Sequence, residues 1–512
     1  MYLTKIKNLL KKSIHIVFLF VALTCTFFTL IHFPQYNLHF NHSIVKTLLF
    51  ASISTVIFKS WELLLKNKTP KTTLTIYLIT CTILLPIQIL LFLKIASPIG
   101  WDVLEVVNSA EFGIYNGDYF VKHPNNLALQ ILLSVYLKAT SFISFLAPLR
   151  KLILLNLFFV DASILMSVLT AKKVYGQKAA NQVFICAVLL IAFHPTLSVV
   201  YSDTIAMPFP IGTLCFFIHA LYSHNTAKKT LFYTLSISFG VIGYLFKPTA
   251  LIMLISISIF LLLRFKKTFF KKIIWVPLLI AILLSTITYN CFSYMKQTTL
   301  NELKQEFPDI KSRGVLHYMA LGLCAPDEDS DGYGSWNEKE VKWMQTHINH
   351  DNYTQEAIEH IQSKLINFGI GGYIQHLANK LIWAGTDGTF FYGNEGEFHL
   401  EEQSPTNTLR GKLQNAFYTE TDLYQNLFSS WWQGVWLFIW LRLVLVFFQK
   451  QHNTAGGIAK LSLLGLFLFL LLFENRSRYL FLYLPVFLFA AERNDTIEKN
   501  SSAFNGKDIT FE

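Results

Sequence analysis

Charged residues are scarce in this sequence. Lys, Arg, Asp and Glu make up 15% of the 512 residues, whereas hydrophobic residues make up 53% and aromatic residues 15%. A soluble domain usually has about 25% charged residues. The deficit argues against a soluble globular protein and indicates that lipid is the main solvent.

Paired cysteine spacings are also missing. The chain has six cysteines and no CxxC motif, and four of the six fall inside apolar runs, at Cys25, Cys81, Cys186 and Cys215. Neither a zinc site nor a disulfide framework is indicated. No small-residue cleavage site follows the first apolar run, so we expect an uncleaved first span and not a signal peptide.

What the sequence has in abundance is long apolar runs. Many reach the ~20 residues that cross a bilayer core, and they are continuous, which predicts helices because lipid leaves no backbone group unpaired. We therefore predict an all-α polytopic membrane protein. Its transmembrane helices, about twelve by this length criterion, are expected at 14–33, 44–65, 73–97, 151–171, 181–200, 206–222, 230–246, 249–264, 273–292, 431–449, 458–474 and 478–491.

The net charge of +11 predicts the orientation of these spans. Short basic clusters lie between them, as is typical of cytoplasmic loops, and no nucleic-acid surface is indicated. The cluster at 66–72 then lies inside and the 98–126 loop outside. If 127–146 also crossed the membrane, three later basic clusters would lie outside. We therefore expect 127–146 to lie along the outer face or re-enter, with both termini cytoplasmic.

This topology divides the chain into five parts. The segment between the last two groups of spans mixes charges, glycine pairs and amphipathic stretches, which predicts a small folded subdomain on the outer leaflet. The parts are a two-span N-terminal extension at 1–72, a transmembrane module at 73–292 with its first large outer loop at 98–126, an extracytoplasmic loop domain at 293–430, C-terminal transmembrane helices at 431–491, and a polar cytoplasmic tail at 492–512.

The 98–126 loop is polar and acid-bearing between apolar runs. Asp102 is a candidate general base that would take a proton from an acceptor hydroxyl. It also suits the cap of a helix, with Glu105 completing a capping box, and the two roles are compatible. Glu105 would otherwise orient Asp102 or the acceptor. Glu111 and Asp118 fit solvated or turn positions better.

His123 and Asn125 belong to a His-Pro-Asn-Asn turn that is expected to start the next helix. Both side chains can contact a sugar or a phosphate. A purely structural histidine is an equal alternative at position 123.

Three further polar sites reach the same side of the membrane in this topology. Ionisable residues at span ends that face a common cavity indicate a functional site. Asp203 is a candidate for substrate binding, for pairing with a loop cation or for a helix cap, and Lys247 for a lipid phosphate or for snorkelling to the interface. Arg476 and Arg478 lie in a short loop, and the planar guanidinium matches phosphate oxygens well.

An acidic cluster has the D-x-D-x-D-G-x5-E spacing of a calcium loop. Its candidate ligands are Asp327, Asp329, Asp331 and Glu338. Pro326 directly precedes it and no clear helix leads into it, so an acidic surface turn is the alternative. A divalent cation is the only cofactor that the sequence raises.

Trp383 and Asp387 are the last candidates for substrate binding. They lie in a Trp-Ala-Gly-Thr-Asp-Gly-Thr-Phe stretch that could supply an aromatic wall for a sugar or a lipid. A tryptophan of the membrane-interface belt is the alternative.

Taken in order, these motifs resemble the GT-C glycosyltransferases, specifically the bacterial relatives of protein mannosyltransferases and aminoarabinose transferases (family 39-like). The resemblance covers about 73 to 490. It is carried by Trp101-Asp102 with a following acid, Tyr119-Phe120-x-x-His123-Pro124-Asn125-Asn126-Leu127, Tyr201-Ser202-Asp203-Thr204, Lys247-Pro248-Thr249 and Arg476-Ser477-Arg478-Tyr479.

The resemblance implies a GT-C-type helical bundle with an outward-facing cavity and a polyprenyl-phosphate sugar as donor. Asp102 matches the catalytic acidic residue, and Lys247 or the two arginines would bind the lipid phosphate. The chain departs from the family in two ways. Glu105 is three residues beyond Asp102 where some members have an adjacent Asp-Glu pair, and the two leading spans are extra.

We therefore expect a plasma-membrane glycosyltransferase that transfers a sugar to an envelope acceptor on the outer face. The acceptor would be a polysaccharide, a teichoic acid, a glycolipid or a protein. Two alternatives stay open: a flippase or transporter of lipid-linked sugars, and an enzyme of the O-antigen ligase or polymerase type. In the latter, the large 293–430 segment would be expected to carry the chemistry.

Overall fold

The structure is a computed structural model of the chain. Several sequence features fall outside the residues it describes, among them Trp101, Asp329, Asp331, the basic cluster at 264–271 and the tail beyond 492. The described residues are 2–31, 43–97, 99–100, 102–114, 116–263, 272–327, 330, 332–394, 404–419, 421–447 and 454–492.

The described residues form helices and no β-strand, which confirms the all-α prediction. Within the described ranges, four single-turn π or 3-10 segments, at 188–192, 195–198, 248–251 and 424–428, adjoin the α-helices. The α-helices are α1 (Tyr2–Ile31), α2 (Ile44–Leu65), α3 (Pro70–Ile95), α4 (Asp102–Phe112), α5 (Gly117–Lys122), α6 (Leu127–Ala139), α7 (Pro148–Tyr175), α8 (Gln177–Ala187), α9 (Ser202–Ile205), α10 (Pro208–Leu221), α11 (Thr226–Phe246), α12 (Ile252–Leu263), α13 (Lys272–Glu306), α14 (Val315–Leu321), α15 (Glu338–His347), α16 (Tyr353–Gly385), α17 (Leu409–Phe417), α18 (Ser429–Phe447), α19 (Thr454–Leu472), α20 (Arg478–Phe481) and α21 (Leu484–Ala490).

Within the described part of the chain, nine helical stretches are long and apolar enough to cross a membrane. Each overlaps a predicted span. They are Lys12–Ile31, Ile44–Leu65, Pro70–Ile95, Pro148–Tyr175, Ser202–Leu221, Thr226–Phe246, Val276–Glu306, Tyr424–Phe447 and Thr454–Leu472.

In each of the other three predicted spans, a proline lies near the point where the helix ends, begins or is interrupted. The run predicted at 181–200 ends as a helix at Ala192, before Pro195, and the run predicted at 249–264 begins with a 3-10 turn at Pro248. The run predicted at 478–491 is divided into α20 and α21, with Pro485 in the first turn of α21. Proline lacks a backbone N–H and disfavours a helical residue before it.

Helix α6 forms most of the 127–146 segment, for which the sequence left open whether it crosses the membrane. It has 13 residues, which at ~1.5 Å per residue give ~20 Å, less than the ~30 Å hydrocarbon core. The loop that follows exposes Phe142 and Phe145 almost completely, at 80% and 83%. A short helix followed by exposed aromatic side chains fits the interfacial placement expected for this segment.

Helix α13 is longer than its apolar run. It continues from the predicted end at 292 to Glu306, because no glycine or proline interrupts the polar residues until Pro308. The residue before a proline disfavours the helical conformation. Much of the segment predicted as a loop domain is therefore helical.

Helix α16 belongs partly to the bundle and partly to its surface. It is broken at Gly369, which has φ +60° and ψ 177°, a conformation open to glycine. Next to the break, Ile366 and Ile370 are exposed at 78% and 84%. At its other end, the carbonyl oxygen of Gly385 accepts hydrogen bonds from the indoles of Trp436 and Trp440 at 2.8 and 3.0 Å.

Lys380 of α16 is fully buried, with 0% exposure. Its Nζ donates to the carbonyl oxygens of Gly322, Leu471 and Phe473 at 2.8, 3.0 and 2.8 Å. The last two lie at the C-terminal end of α19, where the helix leaves its carbonyls unpaired. One amino group thus joins α16, the end of α14 and the end of α19.

Replacing Lys380 by Met should lower the free energy of unfolding by about 1–3 kcal/mol, because buried carbonyls lose their donor. Unfolding with SDS in mixed micelles would measure it. Lys342→Met is the matched control, since Lys342 is 69% exposed beside Glu338 and a surface pair contributes at most about 1 kcal/mol. Equal losses in the two variants would contradict a bridging role for Lys380.

Candidate functional site

A cavity of about 780 Å³ opens at one end of the bundle. Seven of the side chains predicted for the site line it, although they come from four separate stretches of the chain. They are Asp102, Glu105, His123, Asn125, Lys247, Arg476 and Arg478.

Asp102 is the first residue of α4, and its carboxylate meets two phenols. The hydroxyl of Tyr119 donates to Oδ1 at 2.9 Å, and that of Tyr201 lies 3.3 Å from Oδ2. A position at the helix start is favourable for an acid. Asp102 therefore belongs to α4 itself and directs its carboxylate to side chains that also line the cavity.

Asn126 completes this hydrogen-bond network. Its Nδ2 donates to the Tyr119 hydroxyl at 2.6 Å, and its Oδ1 lies 3.3 Å from the Tyr201 hydroxyl. Burial, then the charge of Asp102, raises the pKa of Tyr119, so the phenol keeps its proton and remains a donor. Tyr119, Asn126 and Tyr201 were part of the sequence motifs, but their role in holding Asp102 was not predicted.

Glu105 lies one turn after Asp102, and residues three apart share a helix face. Its Oε2 is buried and has no hydrogen-bond partner among the described residues. The second acid of α4 is thus held at the cavity wall with an oxygen that a ligand could contact.

His123 packs on the same network. Its ring lies 4.9 Å from the ring of Tyr119. Burial, then the neighbouring charge of Arg313, lowers the pKa of His123 to about 4. The imidazole is therefore neutral near pH 7, where it can both donate and accept a hydrogen bond.

The predicted cations are held by acids and by aromatic faces. Lys247 forms an ion pair with Asp203 and lies 4.3 Å from the ring centre of Tyr479. The Nε of Arg478 is 4.0 Å from Asp203 Oδ2, and its guanidinium is 5.1 Å from the ring of Tyr201. Such stacking favours a cation over an aromatic ring. Asp203 thus contacts the two cations and does not itself line the cavity.

Arg476 has its own acid, which the sequence analysis did not select. Its Nε lies 3.4 Å from Glu474 Oε1, while the hydroxyl of Tyr479 donates to Glu474 Oε2 at 2.9 Å. Glu474 also lines the cavity. The short segment after α19 therefore presents one acid followed by two cations.

Asp387 stabilises this loop through hydrogen bonds made outside the cavity. Its Oδ2 accepts hydrogen bonds from the hydroxyl of Ser477 at 2.6 Å and from the backbone N–H of Phe391 at 2.7 Å. Its Oδ1 accepts from the N–H and the hydroxyl of Thr389. The structure places Asp387 outside the lining of the cavity, where it ties the turn after α16 to the loop.

Trp383 is not brought to the cavity either. It is 5% exposed, and its ring packs edge-on against Phe391 at 5.6 Å and close to Gly332. A buried indole in this position supports the turn that carries Asp387.

Two of the candidate calcium ligands are among the described residues. Asp327 accepts a hydrogen bond from Asn337 at 3.0 Å and lies 3.6 Å from the Nζ of Lys339. Glu338 pairs with Lys342 at 2.6 Å. The part of the chain that the structure describes contains no cluster of three or more His, Cys, Asp or Glu side chains that could hold a metal.

Part of the cavity wall comes from residues that the sequence analysis did not select. Arg313, His317 and Tyr318 come from α14 and the loop before it, and Phe246, Phe469 and Phe473 add apolar surface. No local pattern marks the first three, since only the fold brings them to α4 and α5.

Comparisons with known proteins agree with this architecture at the level of the family. No curated protein and no solved structure matches the chain. The family model described as "conserved hypothetical integral membrane protein" matches residues 3–496. The chain therefore belongs to this family of integral membrane proteins.

Proposed function

We propose that this protein is a GT-C-type glycosyltransferase that moves a sugar from a polyprenyl phosphate to a hydroxyl of an envelope acceptor. Transfer would take place at the outer face of the plasma membrane. The supporting observation is one cavity that joins a carboxylate, a group of cations and an apolar wall. These are the groups that an alcohol, a phosphate and a prenyl chain require.

Asp102 is the base in this proposal. Its oxygens accept from Tyr119 and Tyr201, and a carboxylate has about four lone-pair sites, so room remains for an acceptor hydroxyl. As the acceptor oxygen bonds to the anomeric carbon, its proton passes to Asp102. The bond from that carbon to the phosphate oxygen breaks, and its electron pair leaves with the phosphate.

Lys247, Arg476 and Arg478 would stabilise the charge that grows on this phosphate. Pre-oriented cations are most effective where charge develops in the transition state. Their pairing with Asp203 and Glu474 fixes their positions before the substrate arrives, so little reorganisation is needed.

The apolar wall suits the lipid part of the donor. Phe246, Phe469 and Phe473 line the cavity at the ends of α11 and α19. A prenyl chain that enters from the bilayer would lie against these rings while its phosphate reaches the cations. Glu105, His123 and Asn125 would contact the sugar or the acceptor.

Asp102→Asn should lower the rate of sugar transfer by about 10²–10⁴-fold, the usual contribution of a general base. The KM for the donor should change little, because Asn keeps the size of the side chain. Transfer of radiolabel from a polyprenyl-phosphate sugar to membrane acceptors would measure both. Asp118→Asn is the matched control, since Asp118 pairs with Lys122 at 2.6 Å and does not line the cavity.

Two outcomes would contradict the proposal. One is Asp102→Asn with wild-type turnover. The other is movement of the labelled lipid across the bilayer without transfer, which is what a flippase would give.

The side of the membrane can be tested by cysteine labelling in a Cys81→Ser, Cys291→Ser background, since these two cysteines are not buried. Lys311→Cys, in the exposed loop next to the cavity, should react with a membrane-impermeant maleimide on intact cells. His224→Cys, in the predicted cytoplasmic loop before α11, should react only after permeabilisation. The reverse pattern would exclude an outer active site.

A further inference from the structure

Arg313 is a cavity residue that the proposed transfer reaction does not use. It lines the cavity, and its Nε is buried without a hydrogen-bond partner among the described residues. Lys247, Arg476 and Arg478 each lie near a carboxylate, but no described carboxylate forms an ion pair with Arg313. Its charge is therefore available to a ligand.

His317 lies on the same wall and lacks partners as well. It is 2% exposed, and neither ring nitrogen has a hydrogen-bond partner within the described chain. Buried polar atoms are nearly always paired in folded proteins. A ligand with several oxygen atoms would satisfy both His317 and Arg313.

The backbone fixes this wall against α5. The hydroxyl of Ser312 donates to the carbonyl of Val121 at 2.7 Å, and the N–H of Arg313 donates to the carbonyl of Lys122 at 3.1 Å. His123 follows directly. Arg313 is therefore held beside His123 and needs no rearrangement to meet a ligand there.

Arg313 supplies the positive charge of this group. Burial, then the charge of Arg313, lowers the pKa of His317 to about 4, as it does for His123. Two neutral imidazoles beside one guanidinium offer N–H donors and one net positive charge. This combination suits a phosphate group, whose oxygens match the planar fork of arginine.

Asp102 lies between this group and the paired cations. On one side it bonds to Tyr119, on which His123 packs. On the other side it bonds to Tyr201, over which Arg478 lies. Glu474 interacts with His317 electrostatically, but Arg476 and Tyr479 engage its two oxygens.

We propose that Arg313, His317 and His123 form a second phosphate subsite, which binds a phosphate group of the acceptor while the paired cations bind the donor's phosphate. The assignment to the acceptor rests on the proposed function. The presence of a phosphate subsite is independent of the proposed function.

Binding can be measured on the full chain in nanodiscs by calorimetry, with glycerol 3-phosphate as the probe and glycerol as its neutral counterpart. The wild type should bind glycerol 3-phosphate saturably and glycerol not at all. Arg313→Gln should weaken binding by about 10-fold or more, as for loss of a charge-assisted bidentate contact. Lys311→Gln removes the same charge from an exposed position in the same loop and should bind as the wild type does.

Equal losses in Arg313→Gln and Lys311→Gln would overturn the subsite, because general electrostatic attraction would then explain binding. Wild-type affinity in Arg313→Gln would overturn it as well. If Arg313→Gln does not fold, His317→Leu and His317→Gln replace it. The leucine variant should lose binding, and the glutamine variant, which can still donate and accept, should retain most of it.

A short-chain polyprenyl phosphate separates the two sources of phosphate. Arg478→Gln should weaken its binding, and Arg313→Gln should not. If Arg313→Gln weakens binding of the polyprenyl phosphate as much as it weakens binding of glycerol 3-phosphate, the subsite belongs to the donor and the assignment to the acceptor is wrong. Since these measurements need no turnover, absence of sugar transfer would contradict the proposed function and leave the subsite intact.

Discussion

Prolines that stop helices inside the bundle are the constraint on which the cavity depends. Non-helical backbone at membrane depth is tolerated only where protein or a cavity satisfies its polar groups. Two side chains meet this need around Pro195: Gln88 donates to the carbonyl of Ala192 at 2.8 Å, and Asn156 donates to that of Leu197 at 2.9 Å. At Pro248, the Tyr483 hydroxyl donates to the Thr249 carbonyl at 2.9 Å. Lys247 and Thr249 of the cavity wall flank Pro248, and Tyr201 of the wall follows the interruption at Pro195.

Helix α16 and the segments next to it stabilise the part of the cavity wall that follows α19. Lys380 fixes the end of α19 through the carbonyls of Leu471 and Phe473, and Asn475 donates to the carbonyl of Lys380 at 3.0 Å. Asp387 holds Ser477 from the next turn. The cationic loop after α19 is therefore positioned by side chains that never reach the cavity. This explains how a loop of a few residues can hold two arginines in fixed positions.

The sequence predicts the helical architecture because apolar runs and solvent chemistry are local properties. It also predicts Asp102, His123 and Lys247 as cavity residues, because polar groups at span ends are conspicuous in an apolar chain. It does not predict which interrupted runs remain short, since that depends on partners such as Gln88. It also missed Arg313, whose position comes from a contact between Ser312 and Val121, 191 residues apart in sequence. Asp387 was assigned to substrate because its partner Ser477 is 90 residues away in sequence.

The two cationic groups differ in a way that suits different tasks in the proposed reaction. Cations that already face carboxylates, such as Lys247 with Asp203, attract a ground-state anion less than a free cation would. Their attraction for the phosphate increases most when charge builds up on it as it departs. Only an interaction that strengthens in the transition state speeds the reaction. Arg313 forms no ion pair with a carboxylate of the described residues, so its attraction for an anion is already strong in the ground state. A base such as Asp102, placed between them, would have the acceptor held on one side and the leaving group stabilised on the other.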